Sequence, residues 1–170
     1  MVQTFLGRIF RYESRNATGL ERLWEYNVRE LVILGTEQKV KAGRALAAES
    51  VRQLLDELSF EFTIESATDA FFPTARGVKK FWQLSRDVKW EVLLPLERRA
   101  GRADRTFAIG SINDHRNFFG RQFDIKGTDR IEAFSACVGI GIERLLLAAF
   151  TQFGFDPAAW PAALRPVFDA

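Results

Sequence analysis

Five charged or aromatic side chains near the start of the chain suit nucleotide chemistry. They lie in residues 7–36, in two strand-like runs joined by a polar loop, and they are Arg11, Glu13, Tyr26, Arg29 and Glu30. A guanidinium can bind a phosphate through two hydrogen bonds, and an aromatic ring can stack on a base. Because side chains alternate along a strand, Arg11 and Glu13 share a face, as do Tyr26 and Glu30. The pattern favours a nucleotide site, and a hairpin with a solvated polar face is the alternative.

A second group of candidate residues lies in residues 136–147, ACVGIGIERLLL. Gly139 and Gly141 fall where a strand is expected to turn into a helix, and glycine there lets the backbone approach a ligand closely. Arg144 then falls in the first turns of that helix. Each feature alone is usually explained by turn geometry or surface charge. Together with the upstream R-x-E, they favour a binding site.

The longest predicted element that positions these residues is a helix. Thr36 can cap it, and it runs to about Leu58 because apolar residues recur at helical spacing on one face. Those residues are Val40, Ala47, Val51, Leu54, Leu55 and Leu58. Gly43 lies on the same face, where it would let a neighbouring element pack closely.

The other predicted elements are strands and a final helix. Strands are expected at residues 60–66, 78–84, 88–96, 106–113 and 130–138, with a charged turn at 97–105. The run 88–96 is almost continuously apolar and so should be central in a sheet, with Pro95 near its end. Gly139 should begin the turn into a helix that ends near Phe153 or Gly154. The tail should dock on the body through Trp160, Leu164 and Phe168.

Composition limits the class of protein. The 170 residues are 47% hydrophobic, which predicts a single packed domain over residues 1–170. The 24 Lys and Arg nearly balance the 22 Asp and Glu, so no strong general attraction to nucleic acid or membrane is expected. The single cysteine excludes an internal disulfide and suits a reducing compartment. The sequence has neither a membrane-spanning run nor a signal peptide pattern. We therefore predict a soluble cytoplasmic protein.

The chain resembles a known family at these motifs. Residues 10–13, FRYE, look like motif 2 of the class II aminoacyl-tRNA synthetases, and Gly139, Gly141 and Arg144 look like their motif 3. The order of RLWEYNVRELVILGT, IESATDAFF, VKWEVLLPL, SINDHRNFFG and EAFSACVGIGIERLLLAAF is similar to the amino acid:[carrier protein] ligases. Those ligases are relatives of methanogen-type seryl-tRNA synthetases that lack a tRNA-binding domain. The resemblance implies an α+β fold, with a mostly antiparallel β-sheet flanked by helices.

The resemblance also implies roles for the nucleotide residues. Arg11 would bind the α-phosphate of ATP, and Glu13 would hold the adenine amino group or orient Arg11. Tyr26 would stack under adenine with Arg144 on its other face, although a half-buried strand aromatic is an equal alternative for Tyr26 alone. Magnesium would bridge the phosphates, with no protein ligand named. No Ser, His or Cys nucleophile is expected, and a general-base role for His115 has little support.

The amino-acid pocket departs from the family pattern. The family binds the substrate amino group through a zinc ion held by two cysteines and a glutamate; Glu30 matches the glutamate and Cys137 the second cysteine. The first cysteine would lie upstream of this chain, so the third ligand is missing unless His115 or a partner chain supplies one. An inert buried thiol is the alternative, and zinc stays open. Asn113 and Asp69 match positions near the pocket, with turn and loop capping as their alternative.

The function expected from the resemblance is ATP-dependent activation of a small amino acid and its transfer to the phosphopantetheine thiol of an acyl or peptidyl carrier protein. Motif 1, the family's dimer interface, is not found, so the domain is expected to be N-terminally truncated and a homodimer or hetero-oligomer stays open. A silent paralogue acting as a binding module, and one subunit of a split ligase, are alternatives. A seryl-tRNA synthetase-like fragment is the third, and tRNA is not expected as a partner.

Overall fold

Six antiparallel strands form one sheet, in the order β1-β2-β6-β5-β4-β3, in the computed structural model. The structure describes residues 1–12, 20–67, 88–99 and 102–165. The strands are β1 Val2–Phe10, β2 Glu25–Gly35, β3 Thr63–Ser66, β4 Lys89–Arg99, β5 Arg102–Arg116 and β6 Phe134–Gly141. The helices are α1 Glu37–Glu57, α2 Phe118–Gln122 and α3 Ile142–Phe153, followed by a 3-10 turn at Pro157–Ala159. The antiparallel sheet with helices confirms the predicted fold class.

The N-terminal hairpin confirms the first prediction. β1 and β2 are antiparallel, with Ile9 opposite Tyr26, and β1 begins at Val2 rather than near Gly7. β2 also pairs with β6, with Glu30 opposite Gly139. The hairpin therefore lies directly beside the strand that carries the second candidate motif.

Helix α1 agrees closely with its predicted bounds. The Thr36 hydroxyl accepts a hydrogen bond from the backbone N–H of Lys39 at 3.4 Å, as expected of a cap. A Cβ on Gly43 would lie 3.1 Å from Ile33 on β2, which confirms the close approach. Leu54 was wrongly placed on the buried face: 49% of its surface is exposed. It lies beside the buried Val51 and Leu55, at the edge of the stripe that meets the sheet.

The C-terminal part docks as predicted. Helix α3 ends at Phe153, and Trp160 is 2% exposed, with its indole N–H donating to the Gly154 carbonyl at 2.9 Å. Leu164 is also buried, whereas Phe168 lies outside the described residues. None of the helices within the described ranges is long and apolar enough to cross a membrane.

Several strand boundaries were wrong. The predicted charged turn at 97–105 is largely hairpin, since β4 reaches Arg99 and β5 starts at Arg102. Charge indicates that side chains face water and does not exclude strand pairing. The last strand is shifted from 130–138 to Phe134–Gly141, and Arg130, with φ of 62°, is not extended.

Three other strand predictions have different outcomes. The strand expected at 60–66 begins only at Thr63, since Phe60 still hydrogen-bonds back to Leu55 in α1. The strand expected at 78–84 lies outside the described residues. The apolar run at 88–96 is central as expected, because β4 has β5 on one side and β3 on the other.

Candidate functional site

A cavity of about 380 Å³ lies over one face of the sheet. Residues from the ends of β1 and α3 and from the faces of β2, β4, β5 and β6 line it. Among them are six of the residues predicted from the sequence: Arg11, Tyr26, Glu30, Gly139, Gly141 and Arg144. The sheet therefore brings both sequence motifs, more than a hundred residues apart, into a single cavity.

One end of the cavity is cationic and aromatic. The guanidinium carbon of Arg11 lies 5.9 Å from the centre of the Tyr26 ring, and that of Arg144 lies 5.1 Å from it. Arg144 also donates hydrogen bonds to the Ala108 carbonyl at 2.8 Å and to the Tyr26 hydroxyl at 3.3 Å. Two guanidiniums converging on one ring favour an anionic or aromatic ligand at this end.

The Tyr26 ring is held firmly. Its hydroxyl accepts from the backbone N–H of Leu23 at 2.7 Å and donates to the Glu21 carbonyl at 3.1 Å. Only 2% of the residue is exposed. A base can therefore stack on this ring only after a neighbouring side chain moves aside, and the stacking role stays a prediction.

The other end of the cavity contains Glu30. Its Oε2 atom lies 2.5 Å from the point where a Cβ on Gly139 would be. Gly139 was wrongly expected to begin a turn: it lies inside β6, and the helix follows Gly141. The missing side chain of Gly139 instead leaves room for the Glu30 carboxylate to lie over the backbone of β6.

Cys137 lies one row further along the same face, opposite Asn113 on β5. The Asn113 amide nitrogen donates to the Ser111 hydroxyl at 3.0 Å and to the Cys137 sulfur at 3.4 Å. Burial, together with the neighbouring Glu30 carboxylate that hydrogen-bonds the thiol, raises the pKa of the Cys137 thiol to about 12. The thiol is therefore protonated at neutral pH and serves as a donor to Glu30.

The donors do not fit a zinc site. Zinc binds the thiolate, and it takes three or four protein ligands. Within the described part of the chain, no group of three or more His, Cys, Asp or Glu side chains could hold a metal ion. Glu30 and Cys137 come together, but the His115 Nδ1 faces the Ser135 hydroxyl at 3.1 Å and its ring packs edge-on against Phe119. We therefore derive no step through zinc.

His115 is a core residue in this structure. It is 7% exposed, and burial lowers the pKa of its imidazole to about 4. It is not among the described residues that line the cavity. Two other predicted site residues, Glu13 and Asp69, lie outside the described residues, so their roles stay predictions.

The sequence motifs do not include three polar residues that line the cavity: Lys89, Glu91 and Ser111. Lys89 and Glu91 form an ion pair at 2.8 Å, and Glu91 lies opposite Ser111. A signal was present, because the two charges alternate with apolar residues in KWEV, at the period of a strand with one polar face.

Known proteins related to this chain are ligases. No family model matches the chain. Amino acid–[acyl-carrier-protein] ligase 1 of Bradyrhizobium diazoefficiens is 31% identical over 148 residues, covering 87% of this chain and 44% of the ligase. The type-2 serine–tRNA ligase of Methanopyrus kandleri is 26% identical over 171 residues, covering 96% of this chain and 32% of that enzyme. The chain thus spans less than half the length of these relatives.

A solved structure identifies the fold. The M. kandleri seryl-tRNA synthetase, in complex with tRNASec of A. aeolicus, matches with a TM-score of 0.82 over 99% of this chain and 33% of that enzyme, at 23% identity. The chain has the catalytic fold of a class II aminoacyl-tRNA synthetase. Its homologues are amino acid–[acyl-carrier-protein] ligases and methanogen-type serine–tRNA ligases, which confirms the resemblance seen in the sequence motifs. The assignment of Arg11 to motif 2 and of Arg144 to motif 3 stays a prediction.

Proposed function

We propose that this protein activates a small amino acid as an aminoacyl-adenylate, using ATP, and transfers it to the phosphopantetheine thiol of a carrier protein. One observation carries the proposal: two guanidiniums meet at the aromatic end of a cavity whose other end holds a carboxylate. The cationic end suits phosphates, and the carboxylate suits an ammonium group. The homology to amino acid–[acyl-carrier-protein] ligases supports the same reaction.

The activation step needs charge stabilisation more than covalent help from the protein. A carboxylate oxygen of the amino acid attacks the α-phosphorus, the new O–P bond forms, and pyrophosphate leaves with the electrons of the broken P–O bond. Arg11 would stabilise the charge on the α-phosphate, and Arg144 would bind further along the phosphates. Magnesium, when bound through phosphate oxygens, would supply additional charge neutralisation.

The test of activation is amino-acid-dependent exchange between ATP and pyrophosphate, with glycine, alanine and serine. We expect exchange with at least one of them, and a fall of about 10²- to 10³-fold in kcat for Arg11→Ala and Arg144→Ala. Arg8→Ala is the matched control, because Arg8 is exposed on the other face of β1, paired with Glu25 at 3.0 Å. No exchange with any amino acid, with or without added zinc, would refute the enzymatic function. Binding of ATP in calorimetry would then favour a non-catalytic nucleotide-binding module or one subunit of a split ligase.

An assay of the transfer step tests which molecule accepts the aminoacyl group. The phosphopantetheine thiol would lose its proton to solvent and attack the acyl carbon, so that a C–S bond forms and the C–O bond to AMP breaks. Intact mass spectrometry of a carrier protein with and without its phosphopantetheine arm measures this directly. We expect the aminoacyl mass only on the carrier that has the arm.

Aminoacylation of serine tRNA is the second candidate function. It is favoured by the 26% identity to the M. kandleri serine–tRNA ligase over 96% of this chain. The net charge of +2 is less suited to a polyanionic partner. Parallel acylation assays with tRNA and with the carrier protein distinguish the two, and labelled serine on tRNA alone would select this second function.

A further inference from the structure

A row of four residues crosses the sheet at the Glu30 end of the cavity. In register, Glu91 on β4 lies opposite Ser111 on β5, Ser111 opposite Gly139 on β6, and Gly139 opposite Glu30 on β2. Three strand spacings of about 4.8 Å put the Cα atoms of the two glutamates roughly 14 Å apart. Between the two glutamates, the row has only the hydroxymethyl group of Ser111 and the hydrogen of Gly139 as side chains. The row is therefore a trough with a carboxylate at each end.

The carboxylate of Glu30 leans into this trough. Its Oε2 lies over Gly139, 2.5 Å from the position that a Cβ would fill, and all four residues of the row line the cavity. Glu91 is paired with Lys89 at 2.8 Å, whereas no cation contacts Glu30 within the described part of the chain. The Glu30 end of the trough therefore carries a negative charge that a cationic ligand can neutralise.

Asn113 provides a second and independent indication of a ligand. It is 4% exposed, lies on the same face two residues after Ser111, and holds the Ser111 hydroxyl through its amide nitrogen at 3.0 Å. Its carbonyl oxygen is buried without a hydrogen-bond partner. Buried amide oxygens are rarely left without a hydrogen bond, so the Asn113 oxygen beside the trough calls for a further hydrogen-bond donor.

We propose that this row binds the α-ammonium group of the amino-acid substrate directly, with Glu30 and Glu91 accepting its hydrogen bonds and no metal ion between them. An ammonium has three N–H donors, and hydrogen bonds from it to carboxylates are among the stronger ones. Glu30 follows Tyr26 by four residues, which is about 13 Å along a strand, so a nucleotide fits between the aromatic end and the row. This inference rests on the proposed activation of an amino acid.

The test compares two analogues of the adenylate by calorimetry. Glycylsulfamoyl adenosine carries the amino group, and acetylsulfamoyl adenosine lacks only that group; AMP is titrated in parallel. We expect the glycyl analogue to bind at least about 10-fold more tightly than the acetyl analogue, as for a charge-assisted hydrogen bond. Glu30→Gln and Glu91→Gln should bring this ratio close to one and leave AMP binding unchanged. Glu49→Gln, on the exposed surface of α1, is the control that should keep the ratio.

The possible failures are distinguishable. Equal binding of the two analogues to the unaltered protein, or a ratio that persists in both variants, would overturn the direct ammonium contact while AMP binding still supported the nucleotide site. Loss of the ratio on adding 1,10-phenanthroline would show that a metal mediates the contact, which also overturns it. If AMP and both analogues all fail to bind, the proposed function itself is wrong.

Discussion

Two glycines on the paired strands β5 and β6, Gly110 and Gly139, should respond differently to the same substitution. Gly110 lies opposite Ile140, and a Cβ added there would collide with the main-chain oxygen of Gly139 and lie 2.6 Å from the Cδ1 of Ile140. The atoms nearest to a Cβ added to Gly139 would be those of the Glu30 carboxylate. The first obstacle is the sheet backbone, and the second is the far end of a flexible side chain.

The magnitudes follow from what must move. Overpacking a rigid contact costs about 1–3 kcal/mol, and a main-chain oxygen in a paired strand puts Gly110→Ala at the upper end. Replacing glycine by alanine also stabilises the fold by about 0.4–1 kcal/mol, because it lowers the conformational entropy of the unfolded chain, provided that alanine can adopt the native backbone conformation. We therefore expect a net loss of about 2 kcal/mol for Gly110→Ala and a change within about 0.5 kcal/mol for Gly139→Ala.

Equilibrium unfolding in urea measures both changes. With a slope of about 2 kcal/mol per molar urea, the midpoint should fall by about 1 M for Gly110→Ala and stay nearly constant for Gly139→Ala. Gly139→Ala should still reduce the preference for the glycyl analogue, because it displaces Glu30 from the trough. Equal midpoints for the two variants, or a larger loss for Gly139→Ala, would refute the assignment of one contact to the backbone and the other to a side chain.

Three further outcomes follow from burial. The depressed pKa of His115, about 4 when folded against about 6.5 when unfolded, gives stability that is complete above pH 6.5 and lost as the pH falls toward 4. The loss, up to about 3 kcal/mol, should be smaller in His115→Gln when denaturation is compared at pH 7 and pH 4.5; an equal loss in both proteins would contradict it. The raised pKa of Cys137, about 12, should make iodoacetamide alkylation at pH 8 at least about 100-fold slower in the folded chain than in urea, and comparable rates would contradict the raised pKa of this single thiol. Trp160→Ala should cost about 3–5 kcal/mol in urea unfolding, since the buried indole packs against Phe150 and Phe153; a loss below 1 kcal/mol would show that the tail is not part of the core.

The sequence predicted those elements that are determined by residues close together along the chain. The helix from Thr36 to Leu58 has its own cap and its own apolar period, so its bounds were correct within a residue or two. The fold class was also accessible, because the motifs occur in a specific order. The boundaries of β5 and β6 differ from the predicted ones, because charged residues also occur in paired strands and Gly139 lies inside β6.

The site could be predicted only in part. Arg11, Tyr26 and Arg144 were expected together and they line one cavity. Lys89, Glu91 and Ser111 were missed because strand register brings them to the site, and register depends on pairing between distant segments. The real neighbour of Gly139, the Glu30 carboxylate, was hidden for the same reason.

The pairing of β2 with β6 also determines when the site can form during folding. The hydrogen bond between Arg144 and Tyr26 joins residues 118 apart in sequence, whereas β1 with β2 and β4 with β5 are neighbours along the chain. Closing so long a loop costs entropy before any contact compensates for it, so pairings between distant segments form slowly. A refolding intermediate that contains only the β1–β2 and β4–β5 hairpins would have residues from both sides of the cavity, but β6 would not yet hold them together as a site. We therefore expect nucleotide binding to be regained in the slowest refolding phase, after most strand structure has formed.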